Sequence, residues 1–231
     1  MIKVTKEREI DQYIKKYSID DLFSKDMKPY MEILYYKKNE HILKEGDELR
    51  YLLFLVEGKA KVYTALSNGK SLLLCFYQSF KVLGDVEILD GDFVTSNVQA
   101  IEDTYCIGIS CEQVRNLLME DSKFLRFLSI SIGKKLVRCS KNSSINLLYP
   151  LENRLSSYIM TTGERVIEQN VMRIVFHENL TEIAELLGTS YRHLLRTIQS
   201  LCEKGVLRKN KEQYEVLDQK ELKELSSDLY Q

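Results

Sequence analysis

Between Asn179 and Leu201 the chain reads Asn-Leu-Thr-Glu-Ile-Ala-Glu-Leu-Leu-Gly-Thr-Ser-Tyr-Arg-His-Leu-Leu-Arg-Thr-Ile-Gln-Ser-Leu, a pattern that few folds satisfy. Asn179 is an N-cap residue type with Glu182 three positions on, the spacing of a capping box. Ile183, Leu186 and Leu187 give a first helix one apolar face, and Ala184 is small enough for close helix contact. Gly188 permits a tight turn, after which Ser190 is placed to cap a second helix. On that second helix Leu194, Ile198 and Leu201 share one side. At about 100° per residue, Arg192, Arg196 and Gln199 fall together on the opposite side. This is the pattern of a helix-turn-helix.

Any two amphipathic helices around a glycine share part of that pattern, so the flanking sequence decides. From Tyr191 to Lys211 the cations are Arg192, Arg196, Lys204, Arg208, Lys209 and Lys211, against the single acid Glu203. The turn Lys209-Asn-Lys-Glu-Gln213, between Val206-Leu207 and Tyr214 to Val216, predicts a β-hairpin wing. Arginine and glutamine match guanine and adenine edges in a major groove, and lysines match phosphates. DNA contacts are therefore expected from Ser190, Tyr191, Arg192, Arg196, Gln199, Lys209 and Lys211. Ser190 and Tyr191 would position the helix on the backbone.

The rest of the chain carries this module without contradicting it. At 231 residues and 44% hydrophobic it is large enough for two cored domains. A net charge of −1 is no argument against a nucleic-acid partner, because acids elsewhere cancel a local basic patch. The start, Met-Ile-Lys-Val-Thr-Lys-Glu, has no apolar h-region, and runs such as Leu52 to Val56 are too short for a bilayer. A cytoplasmic protein without membrane contact is expected. Cys75, Cys106, Cys111, Cys139 and Cys202 include no C-x-x-C, so reduced thiols and no metal or other cofactor are expected.

Residues 1 to about 34 read as an N-terminal helix and connector, broken at Pro29. From Tyr35 to about Ile109 the texture is β: Leu52–Val56, Ala60–Tyr63, Leu72–Tyr77 and Tyr105–Ile109 are short apolar runs. They lie among turn signals at Glu45-Gly-Asp47, Glu57-Gly58, Ser67-Asn-Gly69 and Asp90-Gly-Asp92. Many short strands at this spacing predict an antiparallel barrel or jelly roll. Helical periodicity returns from Glu112 to about Asn146, where Phe124, Leu125, Phe127, Leu128, Ile130, Ile132, Leu136 and Val137 leave a helix apolar almost all round. One side can serve a core; the surplus predicts a dimer seam. Asn142-Ser-Ser144 is the most linker-like stretch, and Pro150 suits the first turn of a following helix.

In order, these parts resemble the Crp/Fnr superfamily of bacterial transcription regulators. The resemblance rests on Glu45-Gly-Asp47, Phe54 to Gly58 with Lys59-Ala-Lys-Val62, Gly84-Asp85, Val98-x-Ala100, and the Ile183-Ala, Gly188-x-Ser190, Arg196 spacing. It implies an α+β protein: a cyclic-nucleotide-binding-like β-roll (jelly roll) over residues 1–111, a dimerisation helix and hinge over 112–146, and a winged helix-turn-helix over 147–231. It further implies a homodimer on a palindromic double-stranded operator, in contact with RNA polymerase, and no enzymatic activity.

Departures from the family pattern bear on the effector. Cyclic-nucleotide-binding members carry Gly-Glu, a loop, then Arg with Ser or Thr. Here Gly84 is followed by Asp85, and counting back from Val98 puts Thr95 at the Ser/Thr position and Val94 at that of the arginine. A phosphate without its bidentate cation loses a charge-assisted pair, so activation by cyclic AMP is not expected, and Val94→Arg is expected to restore part of the binding. An unidentified metabolite is the alternative effector, with Gly84, Asp85, Thr95 and Ser96 as the effector-pocket residues. The cysteine cluster of the oxygen-sensing branch has no counterpart before Cys75. At the start of the second helix, Ser190-Tyr191-Arg192 replaces the family's Ser-Arg-Glu, which shifts the expected operator. The alternatives are a ligand-sensing β-roll module without DNA reading, and a cupin-type enzyme. For the latter, His41, His177 and His193 lack metal-site spacing.

Overall fold

The computed structural model describes residues 2–4, 7–67, 69–91, 93–168, 171–176, 179–211, 213–227 and 229–230. Asn68, Asp92, His177 and Glu212 lie outside the described residues. The chain divides into two compact units, Met1–Thr64 with Phe76–Cys139, and Ala65–Cys75 with Ser140–Gln231.

The first unit begins with β1 (Ile2–Val4) and α1 (Glu7–Tyr17), followed by β2 (Met31–Tyr36), β3 (His41–Leu43), β4 (Tyr51–Glu57) and β5 (Lys59–Ala65). Then come β6 (Ser71–Gln78), β7 (Lys81–Leu83), α2 (Glu87–Asp90), β8 (Asn97–Ala100), β9 (Thr104–Ser110), α3 (Cys111–Leu117) and α4 (Ser122–Leu148), of which Ser71–Cys75 and Ser140–Leu148 are counted with the second unit. One sheet has the order β1-β2-β9-β4-β7 and the other β3-β8-β5-β6, which is a β-roll. Residues alternate across the first sheet. Leu52, Phe54, Val56 and Ile107 join Phe23, Val114, Phe124 and Leu128 of the helical layer in one apolar core. Leu34, Tyr51 and Leu53 lie on the opposite face, where they close around the missing side chain of Gly108.

Three expectations need correction here. The chain opens on a strand, with Ile2 paired to Tyr35, and β2 already starts at Met31 rather than Tyr35. Asn142-Ser-Ser144 is no linker but the interior of α4. Its polar side chains are used by the helix and its surroundings. Asn142 is buried and donates to the Leu74 carbonyl at 2.6 Å, and Ser144 donates to the Ser140 carbonyl one turn back. The apolar surplus of α4 is sorted by exposure: Phe124 and Leu128 are core, whereas Ile130, Leu136, Val137, Leu147 and Leu148 are exposed.

The second unit contains α5 (Leu151–Thr162), β10 (Glu164–Glu168), β11 (Val171–Phe176), α6 (Leu180–Leu186) and α7 (Tyr191–Glu203). β12 (Leu207–Asn210), β13 (Gln213–Val216) and α8 (Gln219–Ser226) complete it. Its antiparallel sheet has the order β10-β11-β13-β12. Leu155, Tyr158, Phe176, Leu194 and Leu222 are fully or almost fully buried, with Tyr158 edge-on to Phe176 at 6.3 Å. Burial of each such side chain contributes roughly 1.5–3 kcal/mol.

Candidate nucleic-acid interface

The helix-turn-helix is built by local hydrogen bonds that its sequence supplies. The Asn179 side chain accepts from the Thr181 N–H at 3.0 Å and starts α6. At the other end the Gly188 N–H reaches the Glu185 carbonyl and the Thr189 N–H reaches the Ala184 carbonyl, both at 2.8 Å. That pair of bonds is a Schellman motif, and it needs the φ of +61° that Gly188 adopts. The Ser190 hydroxyl then accepts from the His193 N–H and starts α7. α7 ends as α6 does, with Gly205 bonded to Cys202 and Val206 to the Leu201 carbonyl.

With both ends fixed, the faces of α7 are fixed too. Leu194, Ile198 and Leu201 are no more than 2% exposed. Tyr191, Arg192, Arg196 and Gln199 are exposed on the other side. Neither Arg192 nor Arg196 has a side-chain partner among the described residues. Gln199 does: its amide donates to Glu203 at 3.0 Å, an i,i+4 bond that engages a group expected to be available for DNA.

The wing is present as β12 and β13, with Lys209 opposite Tyr214. It is tighter than its sequence indicates, because Lys209 and Asn210 belong to the strand and Lys211 enters the turn with a φ of +56°. Lys209 and Lys211 are exposed. The other cations of this stretch serve the fold. Lys204 pairs with Glu152 at 2.6 Å, and Glu215 takes Arg208 at 2.6 Å as well as Arg173. The Arg208 and Arg173 guanidiniums outweigh burial and hold the Glu215 carboxyl below its ordinary range. Arg154 was not singled out by its sequence; it donates to the Leu187 carbonyl at 2.5 Å and so supports the turn. Ser190, Tyr191, Arg192, Arg196, Lys209 and Lys211 thus present polar or cationic groups from one helix and its wing.

The proposed effector residues belong to the β-roll. Gly84 and Asp85 are buried, and the Asp85 carboxylate is occupied by Lys135 Nζ and by the Ser131 hydroxyl at 3.0 Å. Lys135 also donates to the Val82 carbonyl at 2.9 Å and lies over the Tyr77 ring. Thr95 is likewise engaged, its N–H and hydroxyl both meeting Glu87 Oε1 at 3.1 and 2.8 Å. Ser96 is half-buried beside it. Val94 is 4% exposed and packs in the core with Leu49 and Ile88. Val94 also borders an open cleft of the β-roll, so its position has both an apolar and an open side. Ser131 and Lys135 had only an i,i+4 spacing on α4 to mark them. Cys75, Cys106 and Cys111 are buried, and burial pushes the Cys106 thiol up, the reverse of a reactive cysteine. Among the described residues no cluster of His, Cys, Asp and Glu could hold a metal, and no helix is long and apolar enough to cross a membrane.

Comparison with known proteins fits both units. Residues 33–121 match the cyclic nucleotide-binding domain family, and residues 153–225 match the Crp-like helix-turn-helix domain. The chain is 31% identical over 209 residues to Regulatory protein YeiL of Escherichia coli O157:H7, spanning 90% of this chain and 92% of that protein. A putative Crp/Fnr-family regulator from Eubacterium rectale shares the fold with a TM-score of 0.72 at 14% identity, over 94% of this chain and 99% of that one. A Crp-family regulator from Thermus thermophilus does so with a TM-score of 0.66 at 17% identity, over 86% and 98%. The chain belongs to the Crp/Fnr family of transcription regulators.

Proposed function

We propose that the protein acts in the cytoplasm as a homodimer that reads a palindromic operator with α7 and adjusts transcription through contact with RNA polymerase. The observation that carries the reading is the pair Arg192 and Arg196, exposed without side-chain partners on a helix whose back is buried and whose start is capped by Ser190. Bidentate contact from such arginines to guanine is the commonest specific contact in a major groove. Ser190 and Tyr191 sit at the helix start for phosphates, Gln199 is available once it leaves Glu203, and Lys209 and Lys211 extend the contact along the backbone.

The homodimer is supported by α4. Ile130, Gly133, Val137, Ser140, Ser144 and Leu147 are all exposed and follow the alternating three- and four-residue spacing of a coiled-coil seam. In functional terms residues 1–111 form the sensor-like part, 112–146 the dimerisation part and 147–231 the DNA reader. Regulation independent of cyclic AMP is supported by Val94 in the core and by Lys135 and Glu87 on Asp85 and Thr95. An unidentified effector must then act by binding the two dimer states unequally. Selection of bound duplexes from a random pool, with and without cell extract, tests the reading. A two-fold symmetric site supports it, and an unenriched pool refutes it.

A further inference from the structure

The β-roll carries an open cleft of about 450 Å³ whose lining includes Val94 but none of Gly84, Asp85, Thr95 or Ser96. That volume falls within the range of small-molecule sites, roughly 300–1,000 Å³. Three features of the lining restrict what it can accept.

Tyr36 forms part of the wall. It is 3% exposed, and its hydroxyl has no hydrogen-bond partner among the described residues. Other tyrosines behave differently: Tyr17 donates to the Val56 carbonyl at 2.8 Å, Tyr35 to Asp103 at 2.7 Å and Tyr230 to Asn146 at 2.5 Å. The hydroxyl is not among the sealed-off unpaired atoms, which among the described residues are Asn142 Oδ1 and Ser156 Oγ, so it meets solvent in the cleft, where a ligand's polar group would replace that water. Burial pushes the Tyr36 phenol up, so it stays neutral and can both donate and accept. The middle of the wall is apolar, with Ile42, Leu53 and Val94 all under a tenth exposed. At the mouth both charge signs are exposed. Lys44 and Arg50 stand with Asp47 and Glu48, and no ion pair joins any of the four to a described residue.

We propose that this cleft binds a free α-amino acid whose neutral side chain ends in a hydrogen-bonding group. The α-carboxylate meets Arg50 or Lys44, as charge-assisted pairing favours, and the ammonium meets Asp47 or Glu48. The side chain passes Ile42, Leu53 and Val94, and its polar end reaches the Tyr36 hydroxyl. A simple anion would leave the two carboxylates at the mouth facing it, and a purely apolar ligand would leave Tyr36 unpaired.

The test is calorimetric titration of the full-length protein, without DNA, against serine, threonine, valine, glutamine, tyrosine and phenylalanine, each with its deaminated and decarboxylated counterparts. Omitting DNA keeps the outcome separate from that of operator reading. Saturable binding of at least one polar-tipped amino acid is expected, weakened about tenfold or more in either counterpart and in the Lys44→Ala, Arg50→Ala double variant. Tyr36→Phe should abolish the preference for threonine over valine, or tyrosine over phenylalanine, while leaving the thermal melt intact. The proposal is overturned if no amino acid in the panel binds. It is equally overturned if a deaminated acid binds as well as its parent, or if Tyr36→Phe leaves the preference unchanged.

Discussion

Lys135 on α4 donates to the carboxylate of Asp85, a residue 50 positions earlier whose side chain is 1% exposed. The ammonium, 18% exposed at its own side chain, supplies from within the chain the charge that a ligand would otherwise have to satisfy at Asp85. A buried pair of this kind is costly to break from one side only, because the remaining charge stays out of water.

Lys135→Met should therefore destabilise the β-roll by about 3 kcal/mol, and adding Asp85→Asn should recover much of that loss. Equilibrium urea denaturation of both single variants and the double variant measures the coupling. A Lys135→Met protein as stable as the parent would mean the pair is not formed.

Cyclic AMP and cyclic GMP should give no heat of binding in isothermal titration, and neither should change operator affinity. Val94→Arg should lower the thermal melting point, because Val94 packs with Leu49 and Ile88. Micromolar binding of cyclic AMP that also tightened operator binding would overturn this account of the pocket.

Charging the exposed stripe of α4 should separate subunits without unfolding them. Val137 and Leu147 are 72% and 83% exposed, so aspartate at either position disturbs no core of its own chain. Both variants should sediment as monomers with unchanged circular dichroism. A dimeric Val137→Asp, Leu147→Asp double variant would place the seam elsewhere.

Arg208 should behave unlike its neighbours. The Glu215 carboxyl is held below its ordinary value of 4.5, first by the hydrogen bond from Arg208. Stability from this group is thus present above about pH 4.5 and is lost as pH falls through the lower folded value. Arg208→Ala should make the second unit less stable at neutral pH and flatten that acid limb, with little change in the salt dependence of DNA binding. Lys209→Ala and Lys211→Ala should each reduce the salt slope by about one unit and leave the acid limb alone.

Features set by near neighbours were readable in the sequence, and those set across the chain were not. Asn179, Gly188 and Ser190 act on groups within a few residues, so the two helices of the DNA reader could be drawn from the sequence. Asn142 satisfies a carbonyl 68 positions away, which is why a stretch that looks like a linker is helical. The β10–β11 hairpin has no clear signal in the sequence, because residues 164–167 of β10 are exposed and show no buried alternation. The occupation of Asp85 by Lys135, and of Glu215 by Arg208 and Arg173, depends on tertiary approach that residue types alone do not reveal.

The most direct test of the central claim is an anisotropy titration of the parent and of Arg196→Ala against the selected operator and its single-base variants. Loss of about 1–3 kcal/mol on the operator is predicted, with preference relaxed at one symmetric position per half-site and the half-sites about one helical turn apart. Equal weakening on every duplex, or none on any, would contradict α7 as the reading helix.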